Sequence, residues 1–358
     1  MPSTPDASCS PDLNVERSLL NVECSQSEAR STRNAAPKTS MLAAVLHAPG
    51  EVRMTEVPIP APDENEVRIR LEGCGVCGSN LPPWEGRSWF KYPFEPGQPG
   101  HEGWGRVDAI GSNVATVNVG DRVSFLSSHA FAEYDLAAET SVVKLPAELD
   151  AQPFPGEALG CAMNVFHRSD IQRGQTVAIV GIGFLGAVLT SLCARAGANV
   201  IAIARRPFAL QIARRMGANE TIPMDDHWKV TERVKTLTAN LGCDRVIEAV
   251  GLQWPLDLAG ELTRERGRLI IAGYHQDGPR QVNMQLWNWR GLDVINAHER
   301  DSAIYVHGIQ DAIEAVVSSV LDPTPLYTHR FTLSHLADAM NAMKERPDNF
   351  LKALVTMP

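Results

Sequence analysis

Residues Thr176–Gly186 read TVAIVGIGFLG. TVAIV is a continuous apolar run, suited to a strand buried on both faces of a parallel sheet. It runs into Gly181-Ile182-Gly183-Phe184-Leu185-Gly186, and FLGAVLTSLCARAG continues as an apolar helix. A GxGxxG turn between a buried strand and a helix is the context required for dinucleotide binding. Gly181 permits the tight turn, Gly183 lets the backbone approach a pyrophosphate, and Gly186 allows close helix–strand packing. The helix start at Phe184 and Leu185 offers free N–H groups and a positive dipole end to the phosphates. The alternative reading is a glycine-rich turn of another α/β fold, such as a methyltransferase.

Downstream, the pattern repeats. NVIAIA is a second buried strand, PFALQIARRMG a helix, and DRVIEAV, GRLIIAG and LDVINAH are later strands. Strands alternating with helices imply a doubly wound α/β domain. The second strand ends at Ala204, where an acidic residue would bind the ribose 2′-hydroxyl of NAD. Arg205 and Arg206 follow instead, and arginine holds phosphate with a bidentate fork, so NADP(H) is favoured over NAD(H). The competing reading makes both arginines solvated residues at a strand end. After residue 300 come a helix (IYVHGIQDAIEAVVSSVL), a strand (THRFTL), a helix (LADAMNAMKER) and a last strand (FLKALVTM).

Upstream, residues 41–165 are short and β-like. MLAAVL opens the folded part. EVRIRLEGCG alternates as a half-buried strand does, and PAPDEN, EPGQPG and VNVGDRV punctuate it. Residues 1–40 carry Ser, Pro, Asn and charge without an apolar period, which predicts a disordered tail. The tail has no apolar core for a secretory signal, and five acidic residues speak against a mitochondrial transit peptide. The chain of 358 residues is 44% hydrophobic and 21% charged, the balance of a soluble globular protein of about two domains. A net charge of −9 offers no basic field for nucleic acid, and no run of about 18 apolar residues spans a membrane. Seven scattered cysteines do not form a disulfide framework, so a reducing, cytoplasmic setting is expected. Cys193 and Cys243 read as core, Cys9 and Cys24 as tail residues without a role.

Cys74-Gly-Val-Cys77 admits a redox pair or half a zinc knuckle. A strand leads in, Gly78-Ser79-Asn80 leads out, and no second CxxC completes a four-cysteine site, so Cys74 reads as core. Cys77, His101 (in PGHEGWG, 99–105) and Cys161 (in GEALGC, 156–161) are the types that hold a catalytic zinc with an open fourth position. Their wide separation leaves the triad open on spacing alone.

CGVCGS, PGHEGWG and GEALGC ahead of VGIGFLG resemble, in order and distance, the zinc-dependent alcohol dehydrogenases of the medium-chain dehydrogenase/reductase superfamily. The resemblance covers roughly residues 41–358. It implies a GroES-like, mainly β catalytic domain (41–165 and 301–358), a Rossmann domain (166–300), and a cleft between them. It implies one catalytic zinc on Cys77, His101 and Cys161, with Glu102 just behind the metal and Ser79 receiving the substrate proton. The family's chemistry is hydride transfer between a nicotinamide, here NADP(H), and a zinc-polarised alcohol or carbonyl. A secondary alcohol, polyol or modified sugar is the expected substrate, and a homodimer or homotetramer the expected assembly. The alternatives are a zinc-free NADPH-dependent reductase of activated double bonds and a non-catalytic cofactor-binding protein.

Three departures matter. The four-cysteine structural-zinc lobe is absent from GDRVSFLSSHAFAEY. Asn80 replaces the usual aspartate that orients the zinc-bound histidine, and is expected to accept from it through its amide oxygen. The relay histidine is missing near Pro82 and Pro83, so the proton needs another exit, such as water. Between the candidate ligands Trp84, Trp89, Phe90, Tyr92 and Phe94 either line a pocket or pack a loop. Trp287 and Trp289 read as interface or cleft residues, and His275 and His298 as satisfied polar groups.

Overall fold

The computed structural model describes residues 38–358. The expected disordered tail, with Cys9 and Cys24, therefore lies almost wholly outside the described residues. The described chain opens with an antiparallel hairpin, β1 (Ser40–Ala48) and β2 (Glu51–Pro58). β3 (Glu66–Val76) follows, and its alternation is realised: Val67, Ile69 and Leu71 are buried, while Arg70 points outward. A short helix, α1 (Leu81–Trp84), leads toward β4 (Glu102–Ile110), β5 (Arg122–Phe125), β6 (Tyr134–Ala138) and β7 (Val142–Lys144).

Helix α2 (Gly156–Ser169) ends this region and passes the chain to β8 (Thr176–Val180). Then come α3 (Phe184–Arg195), β9 (Asn199–Ala204), α4 (Pro207–Arg215), β10 (Glu220–Pro223), α5 (His227–Leu237), β11 (Cys243–Glu248), α6 (Gln253–Leu262), β12 (Thr263–Ile271), α7 (Met284–Arg290) and β13 (Asp293–Asn296). These six strands form one parallel sheet in the order β10-β9-β8-β11-β12-β13. Val177 and Ile179 of β8 enter one apolar core, Ala178 and Val180 the other. β9 divides the same way, with Val200 and Ala202 on one side and Ile201 and Ile203 on the other. A strand covered on both faces needs no polar side, which is why TVAIV and NVIAIA are unbroken apolar runs. Each such buried Val or Ile contributes roughly 1.5–3 kcal/mol.

The strand order reverses beside β8, so the crevice for a ligand opens at the carboxyl ends of β8 and β11, where α3 begins. Helix α8 (Ser302–Val317) then packs along α2. Gly160 and Gly308 meet at that crossing, where a Cβ on either would press into the opposite helix. The chain returns through β14 (His329–Thr332), α9 (Leu336–Glu345) and β15 (Ala353–Thr356) to the first region. There β15 pairs antiparallel with the far edge of β3, giving β14-β15-β3-β4-β5-β7 with β6 also on β3. The fold is a GroES-like mainly β region joined to a Rossmann doubly wound sheet. Among the described residues no helix is long and apolar enough to cross a membrane.

Candidate metal and dinucleotide site

β3 ends at Val76, and Cys77 keeps extended geometry (φ −96°, ψ 153°) before the chain turns through Gly78–Asn80. In the β3–β4 register Gly75 stands opposite Glu102. Cys77, just past one strand, and His101, just before the other, therefore reach the same end of the sheet. The Cys77 sulfur, a ring nitrogen of His101 and a carboxylate oxygen of Glu102 lie within 4.8 Å of one another.

Asn80 is buried at the centre of this turn. Its amide oxygen accepts from the Cys77 backbone N–H at 2.8 Å, and its amide nitrogen donates to the Pro99 carbonyl at 2.9 Å. His101 Nδ1 donates to that same carbonyl at 2.9 Å. The expected direct contact from Asn80 to the histidine is thus replaced by an indirect one: the Asn80 oxygen is taken by Cys77, and Pro99 orients the ring. A carbonyl only accepts, so Nδ1 carries hydrogen and Nε2 is turned toward Ser79 Oγ, 3.3 Å away. Burial opposes charge on this ring, but the Cys77 sulfur, Glu157 and Glu102 outweigh it and raise His101 to about 10. The cluster collects negative groups and recruits a positive charge. A thiolate, an imidazole and a carboxylate are a donor set that suits Zn²⁺ in place of that proton.

Glu102 is itself held. Lys352, at the entry to β15, donates to its Oε1 at 2.6 Å, and both side chains are buried. Burial opposes charge on Lys352, but Glu102, through its charge and hydrogen bond, together with Cys77 and Glu157 keeps its ammonium above the usual lysine range. Gly75 makes room: a Cβ there would collide with the Glu102 carboxylate and press on Lys352. Lys352 also lies over the Phe184 ring, 4.8 Å from its centre, and Phe184 stacks on Tyr327.

GEALGC falls within the stretch expected to be β-like, but it forms the first turn and a half of helix α2. Glu157 and Cys161 stand four residues apart and so share a face of it. Cys161 is not among the side chains within 4.8 Å of one another. Burial, then the charges of Glu157 and Cys77, push its thiol up, while a hydrogen bond with Tyr305 of α8 opposes this. Glu157 is the residue missed by sequence reasoning. Burial and repulsion from Glu102 raise its carboxyl, and attraction to His101 opposes them. Its signal in the sequence is the i, i+4 spacing from Cys161, which carries meaning only on a helix.

At the second half of the site Gly181 has φ 102°, a left-handed geometry that favours glycine, and a Cβ there would strike Val250. Gly186 abuts the Gly181 carbonyl, whereas Gly183 faces open space with nothing within 4 Å of a Cβ position. Gly183 caps α3 without a side-chain hydrogen bond, leaving the N–H groups of Phe184, Leu185 and Gly186 to an outside acceptor. This cradle fits a pyrophosphate. Ala204 is buried at the end of β9, Arg205 is exposed and Arg206 half-buried.

Most of the aromatic segment packs. Trp84 is buried and donates to Asn341 Oδ1 at 3.1 Å, and Tyr92 and Phe94 lie against the β-region core. Trp89 stays half exposed. Trp287 packs on the sheet side of α7, while Trp289 is 88% exposed. His275 Nε2 contacts the buried Glu248 at 3.0 Å, as a satisfied polar group, whereas His298 is exposed and its ring stacks on Tyr274.

Two family models match the chain: the alcohol dehydrogenase GroES-like domain over residues 63–147 and the zinc-binding dehydrogenase over residues 185–317. Sorbitol dehydrogenase of Bacillus subtilis (strain 168) is 26% identical over 348 residues, covering 88% of this chain and 97% of its own. L-threonine 3-dehydrogenase of the same organism is 27% identical over 327 residues, covering 81% and 91%. The fold is similar to that of an Escherichia coli oxidoreductase/dehydrogenase of unknown specificity involved in membrane biogenesis. The TM-score is 0.81 at 22% identity, over 89% of this chain and 99% of that one.

Proposed function

Because the chain belongs to the medium-chain dehydrogenase/reductase superfamily, as a zinc-dependent alcohol dehydrogenase-like oxidoreductase, we propose that it moves hydride between NADP(H) and a secondary alcohol, polyol or modified sugar. The observation that carries this reading is the convergence of Cys77, His101 and Glu102 within 4.8 Å, with Ser79 Oγ 3.3 Å from His101 Nε2. Cys77 and His101 would hold the zinc, with Cys161 or Glu157 of α2 as third ligand and Glu102 behind. When bound, zinc supplies Lewis acidity to the substrate oxygen, and the nicotinamide supplies the hydride exchange.

The chain's own residues do the rest. Pro99 and Asn80 fix the His101 tautomer, so Nε2 presents its lone pair inward. Ser79 Oγ takes the proton of the substrate hydroxyl and passes it outward to solvent, or returns it in the reverse direction. The Gly181–Gly186 turn and the first N–H groups of α3 hold the pyrophosphate, and Arg205 and Arg206 hold the ribose 2′-phosphate. The expected assembly is a cytoplasmic homodimer or homotetramer.

A panel of secondary alcohols, polyols and sugar alcohols, read at the nicotinamide absorbance with NADP and NAD side by side, tests the reading. Turnover with NADP that disappears on zinc removal supports it. A strong preference for NAD would sink the role given to Arg205 and Arg206.

A further inference from the structure

The turn after β9 presses against the segment that follows α9. Arg206 Nη1 donates to the Phe350 carbonyl at 2.5 Å, from the N-cap position of α4. Arg346 closes the end of α9 in left-handed geometry (φ 50°), its backbone N–H bonded to the Ala342 carbonyl at 2.9 Å. That position favours glycine, and the chain carries a long cation there instead. Among the described residues Arg205, Arg206 and Arg346 make no ion pair with any carboxylate, and α4 has no acidic residue in its first turn. Their charges act on one another. Desolvation, then repulsion by Arg346 and Arg205, pulls the Arg206 pKa down, and desolvation and Arg205 do the same to Arg346.

We propose that Arg346 is a third, specificity-determining arm of the site for the ribose 2′-phosphate, closing on it from the C-terminal segment while Arg205 and Arg206 hold it from the β9 side. This rests on the NADP(H) reading above. Three guanidiniums gathered without a counter-charge repel one another until a multiply charged anion sits among them, and a phosphate dianion accepts from several forks at once. A bare 2′-hydroxyl gives them nothing to neutralise. Arg346 therefore strengthens the phosphorylated cofactor alone. Its segment also carries Phe350 and Lys352, so the same phosphate ties the end of β9 to the strand that holds Glu102.

The test is calorimetric titration of the zinc-loaded full chain with adenosine 2′,5′-bisphosphate and with adenosine 5′-monophosphate, which differ only by the 2′-phosphate. Arg346→Ala should weaken the bisphosphate by about tenfold or more and leave the monophosphate unchanged. Arg346→Lys should fall between. If Arg346→Ala binds the bisphosphate as the parent does, while Arg205→Ala loses it, the third arm is wrong and the NADP(H) reading stands. Equal loss of both ligands in Arg346→Ala assigns the residue a general structural role and overturns the proposal. A parent chain without preference for the bisphosphate overturns both readings.

Discussion

Lys352 Nζ stands 2.6 Å from Glu102 Oε1 and 4.8 Å from the centre of the Phe184 ring. One buried ammonium therefore touches both halves of the site: the carboxylate beside Cys77 and His101, and the first residue of the helix that receives the pyrophosphate. Lys352→Met leaves Glu102 as a buried charge without a partner, a change that costs about 3–5 kcal/mol. Denaturant unfolding should show a loss of that size. The double variant Lys352→Met with Glu102→Gln should recover most of it. If the single variant is as stable as the parent, the pair does not hold this part of the fold.

Two glycines of the dinucleotide turn should separate binding from folding. Gly183 has open space where a Cβ would go and a backbone that any residue adopts (φ −92°, ψ −159°). Gly183→Ala should therefore leave the melting temperature within about 2 °C of the parent, a surface-type change. It should nonetheless abolish nicotinamide cofactor binding, because the methyl group fills the approach of the pyrophosphate. Gly186→Ala drives a Cβ into the Gly181 carbonyl and should destabilise the fold itself by about 1–3 kcal/mol. Similar behaviour of the two variants in thermal denaturation would contradict this division.

Helix α2 offers two candidates for the third zinc ligand, and the metal content of purified variants distinguishes them. Cys77→Ser and His101→Ala should each bring zinc well below one per chain. Of Glu157→Gln and Cys161→Ser, the one that also loses zinc identifies the ligand. Neither side chain is within the 4.8 Å group, but the charges of Glu157 and His101 attract each other, whereas Cys161 bonds with Tyr305, so Glu157→Gln is expected to be the more damaging. Retention of a full zinc complement in both would remove α2 from the metal site.

The legibility of the site in the sequence follows its physics. TVAIVGIGFLG disclosed both its elements and their purpose, because a strand buried on two faces and a pyrophosphate turn each demand residues that little else demands. PGHEGWG disclosed His101, but not what steadies it. The Pro99 carbonyl is a backbone group, which no residue type announces, and the Asn80 oxygen turned out to serve Cys77. Lys352 lies 250 residues from Glu102, and a lone lysine in FLKALVTM gives no sign that it is buried until β15 is paired with β3. Glu157 is not legible in GEALGC, where the cysteine is the more conspicuous ligand type, because only the helix of α2 places both side chains on one face.

Asp135 of β6 offers a test of the β region away from the metal. Its carboxyl is buried, accepts from Ser127 Oγ and from the Leu136 N–H, and is pushed by burial from 3.8 to about 6 despite those hydrogen bonds. The folded chain thus holds this proton more tightly than the unfolded chain. Below about pH 4 both states are protonated and the contribution to stability is complete. Between about pH 4 and pH 6 the unfolded chain ionises first, so stability falls as pH rises, by at most about 3 kcal/mol for a shift of this size. Asp135→Asn has no charge to bury. Its stability relative to the parent should therefore improve by up to that amount from pH 4 to pH 7 and level off beyond. Parallel curves for the two proteins across this range, measured by denaturant unfolding, would show that Asp135 is ionised in the folded state.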